Sequence, residues 1–220
     1  MFKENSLILF QGDSITDACR VKKEKAEECF NLGGGYALMA AAELSESNIQ
    51  KKYKFLNTAV SGNRIVDLYA RWKKDTIAVK PDVLSVLMGV NDIGFELYEN
   101  CGVDAEMFRF LYGKMIDEAR AINPQLIVIL CEPFVLPVEK VGADWNLWKP
   151  EMDVRRRIVK ELAAEKNAIF VALYDDIIKR ANASAPELWA SDGIHPTPAC
   201  HRLISRKWID TVKENVYNKQ

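Results

Sequence analysis

SLILFQGDSITDACR, residues 6–20, decides how this chain is read. It opens as a short apolar run, Leu7 to Phe10, breaks at Gln11-Gly12 and continues with Asp13-Ser14-Ile15-Thr16-Asp17. The apolar run is a candidate first strand. The break has two readings. Gly-Asp-Ser is ordinary turn chemistry. It is also how a chain holds a hydroxyl nucleophile at the mouth of a sheet, and the rest of the sequence has to choose.

Working outward, short apolar runs alternate with longer amphipathic stretches. Strands are predicted at residues 7–10, 53–60, 83–88, 126–131 and 168–173. Helices are predicted at 36–46, 65–79, 104–121, 151–167 and 198–216. In the second helix Ile65, Leu68, Tyr69 and Trp72 recur at helical spacing, and in the third Phe108, Leu111, Met115 and Ile116 do the same. The strand runs are continuously apolar, as in LIVILC at 126–131, which suits strands covered on both faces. Five strand–helix repeats predict a three-layer α/β/α fold with a parallel sheet. The simplest doubly wound order for five strands is the flavodoxin-like 2-1-3-4-5, and ligands then bind beyond the carboxyl ends of the strands, at the switch between strands one and three.

The chain has 220 residues, 49% of them hydrophobic, enough for one sizeable core, and a single domain over 1–220 is expected. The formal net charge of -1 gives no basic surface for a nucleic-acid partner. The clusters Lys22-Lys23-Glu24-Lys25 and Arg155-Arg156-Arg157 are read as solvated faces. No apolar run approaches the ~20 residues of a membrane span. The first residues lack the ~7–15 apolar positions of a secretory signal, so a cytoplasmic protein is expected, or one whose signal has been trimmed. Cys19, Cys29, Cys101, Cys131 and Cys200 form an odd, scattered set without C-x-x-C spacing, which indicates neither a disulfide framework nor a zinc site.

The predicted strand ends carry the chemistry. Strand one ends at Gly12-Asp13-Ser14, strand two at Ser61-Gly62-Asn63, and strand three at Gly89-Val90-Asn91-Asp92. The order 2-1-3 brings Ser14, Gly62 and Asn91 to one spot. A serine needs a neighbouring base to act as a nucleophile. A glycine N–H and an asparagine amide can hold a developing oxyanion. The base is one of two histidines. His201 falls inside the last helix as an ordinary helix position. His195 lies on a loop between Gly193 and Pro196, with Asp192 three residues earlier, close enough to hold the imidazole Nδ1–H. Asp13 and Asp17 flank Ser14 and either tune the site or cap the helix that follows.

The four pieces GDSITD, SGNRIVDL, GVND and DGIHP resemble the four sequence blocks of the SGNH hydrolases, also called the GDSL esterase/lipase family. The blocks run through nearly the whole chain. The resemblance implies Ser14 as nucleophile, His195 as base and Asp192 as its orienting acid. It implies an oxyanion hole from the Ser14 and Gly62 N–H groups and Asn91, a flavodoxin-like fold, and no metal or cofactor. The stretch RIVDLYARWKKDTIAVKPD and the short length are similar to the intracellular acetylxylan esterases of that superfamily. That implies a small acylated carbohydrate as substrate and a symmetric homo-oligomer.

The segment 132–150 is long for a βα loop, most of which run ~2–6 residues. Phe134, Trp145 and Trp148 on it are candidate pocket-wall residues, or a subunit interface. Trp189 and Arg64 are further candidates, against core packing and a surface salt bridge, and Asp13 is included for its place beside Ser14. Three rival readings are carried: an acylhydrolase of longer chains, of the lysophospholipase or thioesterase kind; a non-catalytic carbohydrate-binding protein; and a flavodoxin-like nucleotide binder. The last is disfavoured by two carboxylates where a phosphate would sit.

Overall fold

The computed structural model describes residues 2–22 and 31–217. Cys29 and the Lys23-Glu24-Lys25 part of the first basic cluster lie outside the described residues. In chain order the elements are β1 (Leu7–Gly12), α1 (Ser14–Asp17), α2 (Tyr36–Ser47), β2 (Lys54–Asn57), α3 (Ile65–Trp72), β3 (Val83–Leu87), α4 (Val90–Glu99), α5 (Ala105–Ile122), β4 (Ile127–Cys131), α6 (Glu139–Ala143), α7 (Trp145–Glu165), β5 (Ile169–Val171), α8 (Tyr174–Ala183) and α9 (Pro198–Tyr217).

The five strands form one parallel sheet in the order β2-β1-β3-β4-β5. Successive side chains point to opposite faces, so each strand feeds two cores. Ile8 and Phe10, Val83 and Leu87, and Ile129 and Cys131 pack with Tyr36 of α2, Ile177 of α8 and Trp208 of α9. Leu9, Leu84, Val86, Val128 and Leu130 pack on the other face with Trp72 of α3, Phe108 of α5 and Leu162 of α7. Ser85, a polar strand residue facing the first core, accepts the Trp208 indole N–H at 2.9 Å, so that buried indole donor is paired.

Several bounds differ from the sequence reading, each for a local reason. β2 stops at Asn57, short of Val60. The Asn57 side chain takes the Ala59 N–H and donates to the carbonyls of Thr16 and Leu32, while the Thr58 and Val60 N–H groups still donate to the Phe10 and Gly12 carbonyls of β1 at 3.0 and 3.2 Å, so the chain stays beside β1 as far as Val60 without regular strand geometry. The helix expected to reach residue 79 becomes a π-turn at Lys73–Ile77, closed by Ala78 N–H on the Lys73 carbonyl at 2.8 Å. That shift frees the Asp75 carbonyl, which accepts from Thr58 Oγ1 and Gln11 Nε2. GVND is the start of α4 and not the tail of a strand. Val90 and Ile93 are buried on its inner face, and Asn100 ends it in the left-handed conformation.

The stretch 132–150 is not one long loop. It contains α6 and the first turn and a half of α7, with Pro150 inside that helix. Pro150, sixth in that helix, has no N–H to give the Asn146 carbonyl, so the ladder loses one bond there. Of the Arg155-Arg156-Arg157 cluster, Arg157 is the solvated side chain expected, and the other two are not. Arg155 is buried, donating to Glu151 and to the Val103 carbonyl, and Arg156 pairs with Glu132 and Asp153. Among the described residues no helix is long and apolar enough to cross a membrane.

Candidate active site

β1 ends in Gly12 because nothing larger fits. A Cβ there would lie 2.5 Å from the Leu87 carbonyl oxygen of the neighbouring strand and 2.5 Å from Thr16 Oγ1. Asp13 then caps α1, accepting the Ile15 N–H at 3.0 Å. Ser14 is the first residue of that helix. Its N–H precedes the first intrahelical hydrogen bond and points out of the helix start.

His195 reaches Ser14 from the far end of the chain. Its Nε2 lies 2.8 Å from Ser14 Oγ, and its Nδ1 lies 2.6 Å from Asp192 Oδ2. A carboxylate only accepts, so Nδ1 carries the hydrogen and Nε2 presents its lone pair to the serine. Asp192 is itself held by two backbone donors, Ile194 N–H and His195 N–H, both on Oδ1. Burial raises the Asp192 carboxyl, but these hydrogen bonds outweigh it and keep it below its ordinary range. The turn has a brace behind it. Gly193 adopts φ +85°, its carbonyl accepts the Leu136 N–H at 2.8 Å, and a Cβ would approach the Leu136 carbonyl to 2.5 Å. The segment after β4 therefore supports the histidine turn from below.

The turn that carries Gly62 is tied to both neighbours. Ser61 N–H donates to Asp17 at the end of α1, and Asn91 Nδ2 donates to the Asn63 carbonyl at 3.0 Å. Gly62 itself adopts φ +81° and faces open space. Arg71 of α3 clamps the assembly. It donates to the Asn63 side chain at 2.6 Å, to the Thr58 carbonyl at 2.7 Å, to Asp75 at 3.0 Å and to the Gly12 carbonyl at 3.3 Å. One guanidinium thus joins the end of β1 to both sides of the second-block turn.

Two buried carboxyls lie beneath. Burial is the main cause that pushes Asp13 to about 7, with Asp92 adding to it and the Ile15 N–H opposing it. Asp92 is likewise pushed up to about 7 by burial, against the Ile65 N–H that it accepts at 2.9 Å.

A cleft of about 710 Å³ opens over Ser14 and His195. Its other walls include Ala18, Cys19, Arg20, Lys22, Gly34 and Ser61. His201 reaches this wall too, and it is more than an ordinary helix position. It is largely buried, and its Nδ1 accepts the N–H of Tyr36 at the start of α2.

The aromatic wall proposed from sequence is not there. Phe134 and Trp148 are 0% exposed in the first core. Trp148 lies on Gly94 and donates its indole N–H to Tyr98 at 2.8 Å. Trp145 packs half-buried against the same core. Trp189 is half-buried too, donating to Ser184, and none of these rings lines the cleft. Arg64 spends its donors on Asp67 and the Cys101 carbonyl and lies over the Phe95 ring. Asp13, at 1% exposure, is a helix cap and has no face toward a ligand. Sequence reasoning missed Arg71, Asp92 and Arg20. A charged side chain on or beside a helix looks solvated until the fold closes over it. Among the described residues no group of three or more His, Cys, Asp or Glu side chains could hold a metal ion.

Residues 10–203 match the model of the GDSL-like Lipase/Acylhydrolase family. The chain is 30% identical over 214 residues to an acetylxylan esterase of Geobacillus stearothermophilus, covering 92% of this chain and 91% of that protein. A solved structure from Parabacteroides merdae, described as a GDSL-like lipase, superposes with a TM-score of 0.89 at 30% identity, over 96% of this chain and 97% of that one. The solved acetylxylan esterase from Geobacillus stearothermophilus gives 0.84 at 27% identity, over 96% and 95%. Its solved catalytic mutants replace a serine, a histidine and an aspartate.

Proposed function

The chain belongs to the GDSL-like lipase/acylhydrolase family and is a carboxylic ester hydrolase; from that premise we propose that it is a serine esterase removing short acyl groups, acetyl foremost, from carbohydrates of the xylo-oligosaccharide kind. The observation that carries the mechanism is the unbroken hydrogen-bonded line from Asp192 through His195 to Ser14, at 2.6 and 2.8 Å. The substrate reading is supported by the likeness to the acetylxylan esterase over nine-tenths of both chains.

His195 Nε2 takes the Ser14 proton as Oγ attacks the ester carbonyl. Asp192 keeps the ring in the tautomer that allows this and offsets the charge it gains. The oxyanion of the tetrahedral intermediate meets the Ser14 N–H, the Gly62 N–H and the Asn91 amide. Asn91 Nδ2 has two hydrogens and spends one on the Asn63 carbonyl, leaving the other for the oxyanion. Each such donor is worth ~3–4 kcal/mol in the transition state. The imidazolium returns its proton to the departing alcohol. A water, deprotonated by the same nitrogen, then releases the acid from acyl-Ser14.

The test compares p-nitrophenyl acetate with the octanoate ester, for the wild type and Ser14→Ala. We expect hydrolysis of the acetate that vanishes in the variant and falls steeply with chain length, followed by release of acetate from acetylated xylo-oligosaccharides. A preference for octanoate would move the enzyme to the long-chain acylhydrolases. Full activity in Ser14→Ala would end the mechanism.

A further inference from the structure

We propose that Arg20 is a carboxylate-binding residue of the Ser14 cleft, and that the ester this enzyme is built to cleave carries a carboxylate. The proposal rests on the serine-esterase reading above and adds the charge of its substrate.

The chain leaves α1 through two left-handed residues, Ala18 at φ +43° and Cys19 at φ +60°. That turn brings Arg20 back along the cleft wall beside Ser14. Its Nε donates to the Ala59 carbonyl at 2.9 Å, which fixes the plane of the guanidinium. Its backbone N–H is held by Asp17. The two terminal nitrogens donate to no acceptor among the described residues.

The other charged groups of the cleft are matched. Lys22 lies 2.7 Å from Asp17. The Asp17 carboxylate is also filled by the N–H groups of Arg20 and Ser61. His195 is held between Asp192 and Ser14. His201 takes a hydrogen from Tyr36 and is therefore neutral at that nitrogen.

Arg71 shows what a satisfied arginine looks like in this fold, since every one of its three nitrogens has an acceptor. Arg20 is half-buried, and burial lowers its pKa more than the neighbouring Asp17 and Asp75 raise it. A half-buried guanidinium anchored at Nε, with both terminal nitrogens open among the described residues, matches the two oxygens of a carboxylate. A neutral hydroxyl would meet only one of those two donors. The carboxylate can sit on the sugar, as a uronic-acid substituent, or on the acyl group, as the half-ester of a dicarboxylic acid.

The experiment measures kcat/KM for the wild type, Arg20→Gln and Arg20→Lys on two matched pairs. One pair is p-nitrophenyl hemisuccinate against p-nitrophenyl acetate. The other is acetylated xylo-oligosaccharides with and without a uronic-acid substituent. The quantity read is the ratio of anionic to neutral substrate within each protein, which cancels general damage to the site. We expect a ratio of about 10–100 in the wild type for one of the pairs, the worth of charge-assisted hydrogen bonds. It should drop to near one in Arg20→Gln and to an intermediate value in Arg20→Lys, which keeps the charge without the fork. A high ratio on the oligosaccharide pair puts the carboxylate on the sugar, and a high ratio on the hemisuccinate pair puts it on the acyl group.

Ratios near one for both pairs in the wild type, or a ratio unchanged in Arg20→Gln, would overturn the proposal. If Arg20→Gln does not fold, the wild-type ratio is followed against ionic strength. It should shrink as salt screens the pair, and a salt-independent ratio would count against Arg20. Failure of the esterase reading is visible separately, as acetate hydrolysis that does not depend on Ser14.

Discussion

His201 shows how one side chain can serve the fold while lying at the edge of the chemistry. Burial is the main cause that lowers it to about 4, with the nearby His195 contributing. Unfolded, it titrates near ~6.5. Between those values the unfolded chain binds more protons, so its contribution is fully present above ~6.5 and is lost as pH falls through about 4, ~3 kcal/mol in all. Asp13 and Asp92 act in the opposite sense, because carboxyls raised to about 7 stabilise most at low pH and lose that contribution as pH rises. A comparison with His201→Asn isolates the histidine. The wild type should lose about 3 kcal/mol relative to the variant between pH 7 and pH 4 in urea titrations, and a flat difference would show that the ring titrates normally. At this scale much of the site was legible. Ser14, Asp192 and His195 sit where glycine and proline break the pattern, and their chemistry is local to those breaks. Arg20 and Arg71 were not legible, because what makes them unusual is which acceptors the fold gives them or withholds.

At the level of elements, the sheet order followed from strand count and alternation, since continuously apolar strands joined by amphipathic helices leave few arrangements. α4 and α8 were missed because they are short and follow strands directly, so their apolar spacing merges with the strand before them. α3 matters most for chemistry, through Arg71 and the π-turn after it. Replacing Arg71 by Met should loosen the Gly62–Asn63 turn relative to Ser14. We expect kcat on p-nitrophenyl acetate to fall roughly 10–100-fold with KM little changed, the pattern of a group that aligns donors for the transition state. Arg71→Lys should recover part of the loss through its remaining contacts. Parallel loss of kcat and melting temperature in both variants would reduce Arg71 to a structural residue.

Across the whole molecule, the aromatic side chains weighed as pocket wall, subunit interface or core pack against the first core. Trp148 fills the space over Gly94 between α4 and α7. Trp148→Ala should cost ~3–5 kcal/mol of stability, read as a lower urea midpoint. KM for the acetate ester should be unchanged at temperatures where the variant is folded, and a raised KM would return Trp148 to the binding site. Sequence spacing cannot tell a ring that faces ligand from a ring that faces core, because both ask for the same residue types. The contact between Ser14 and His195 spans 181 positions of chain. A ribosome therefore makes the nucleophile well before the base. Until the turn at Asp192–His195 has emerged and α9 has docked, the growing polypeptide carries a serine with no partner to activate it, so the emerging enzyme stays chemically silent while those 181 positions are being added.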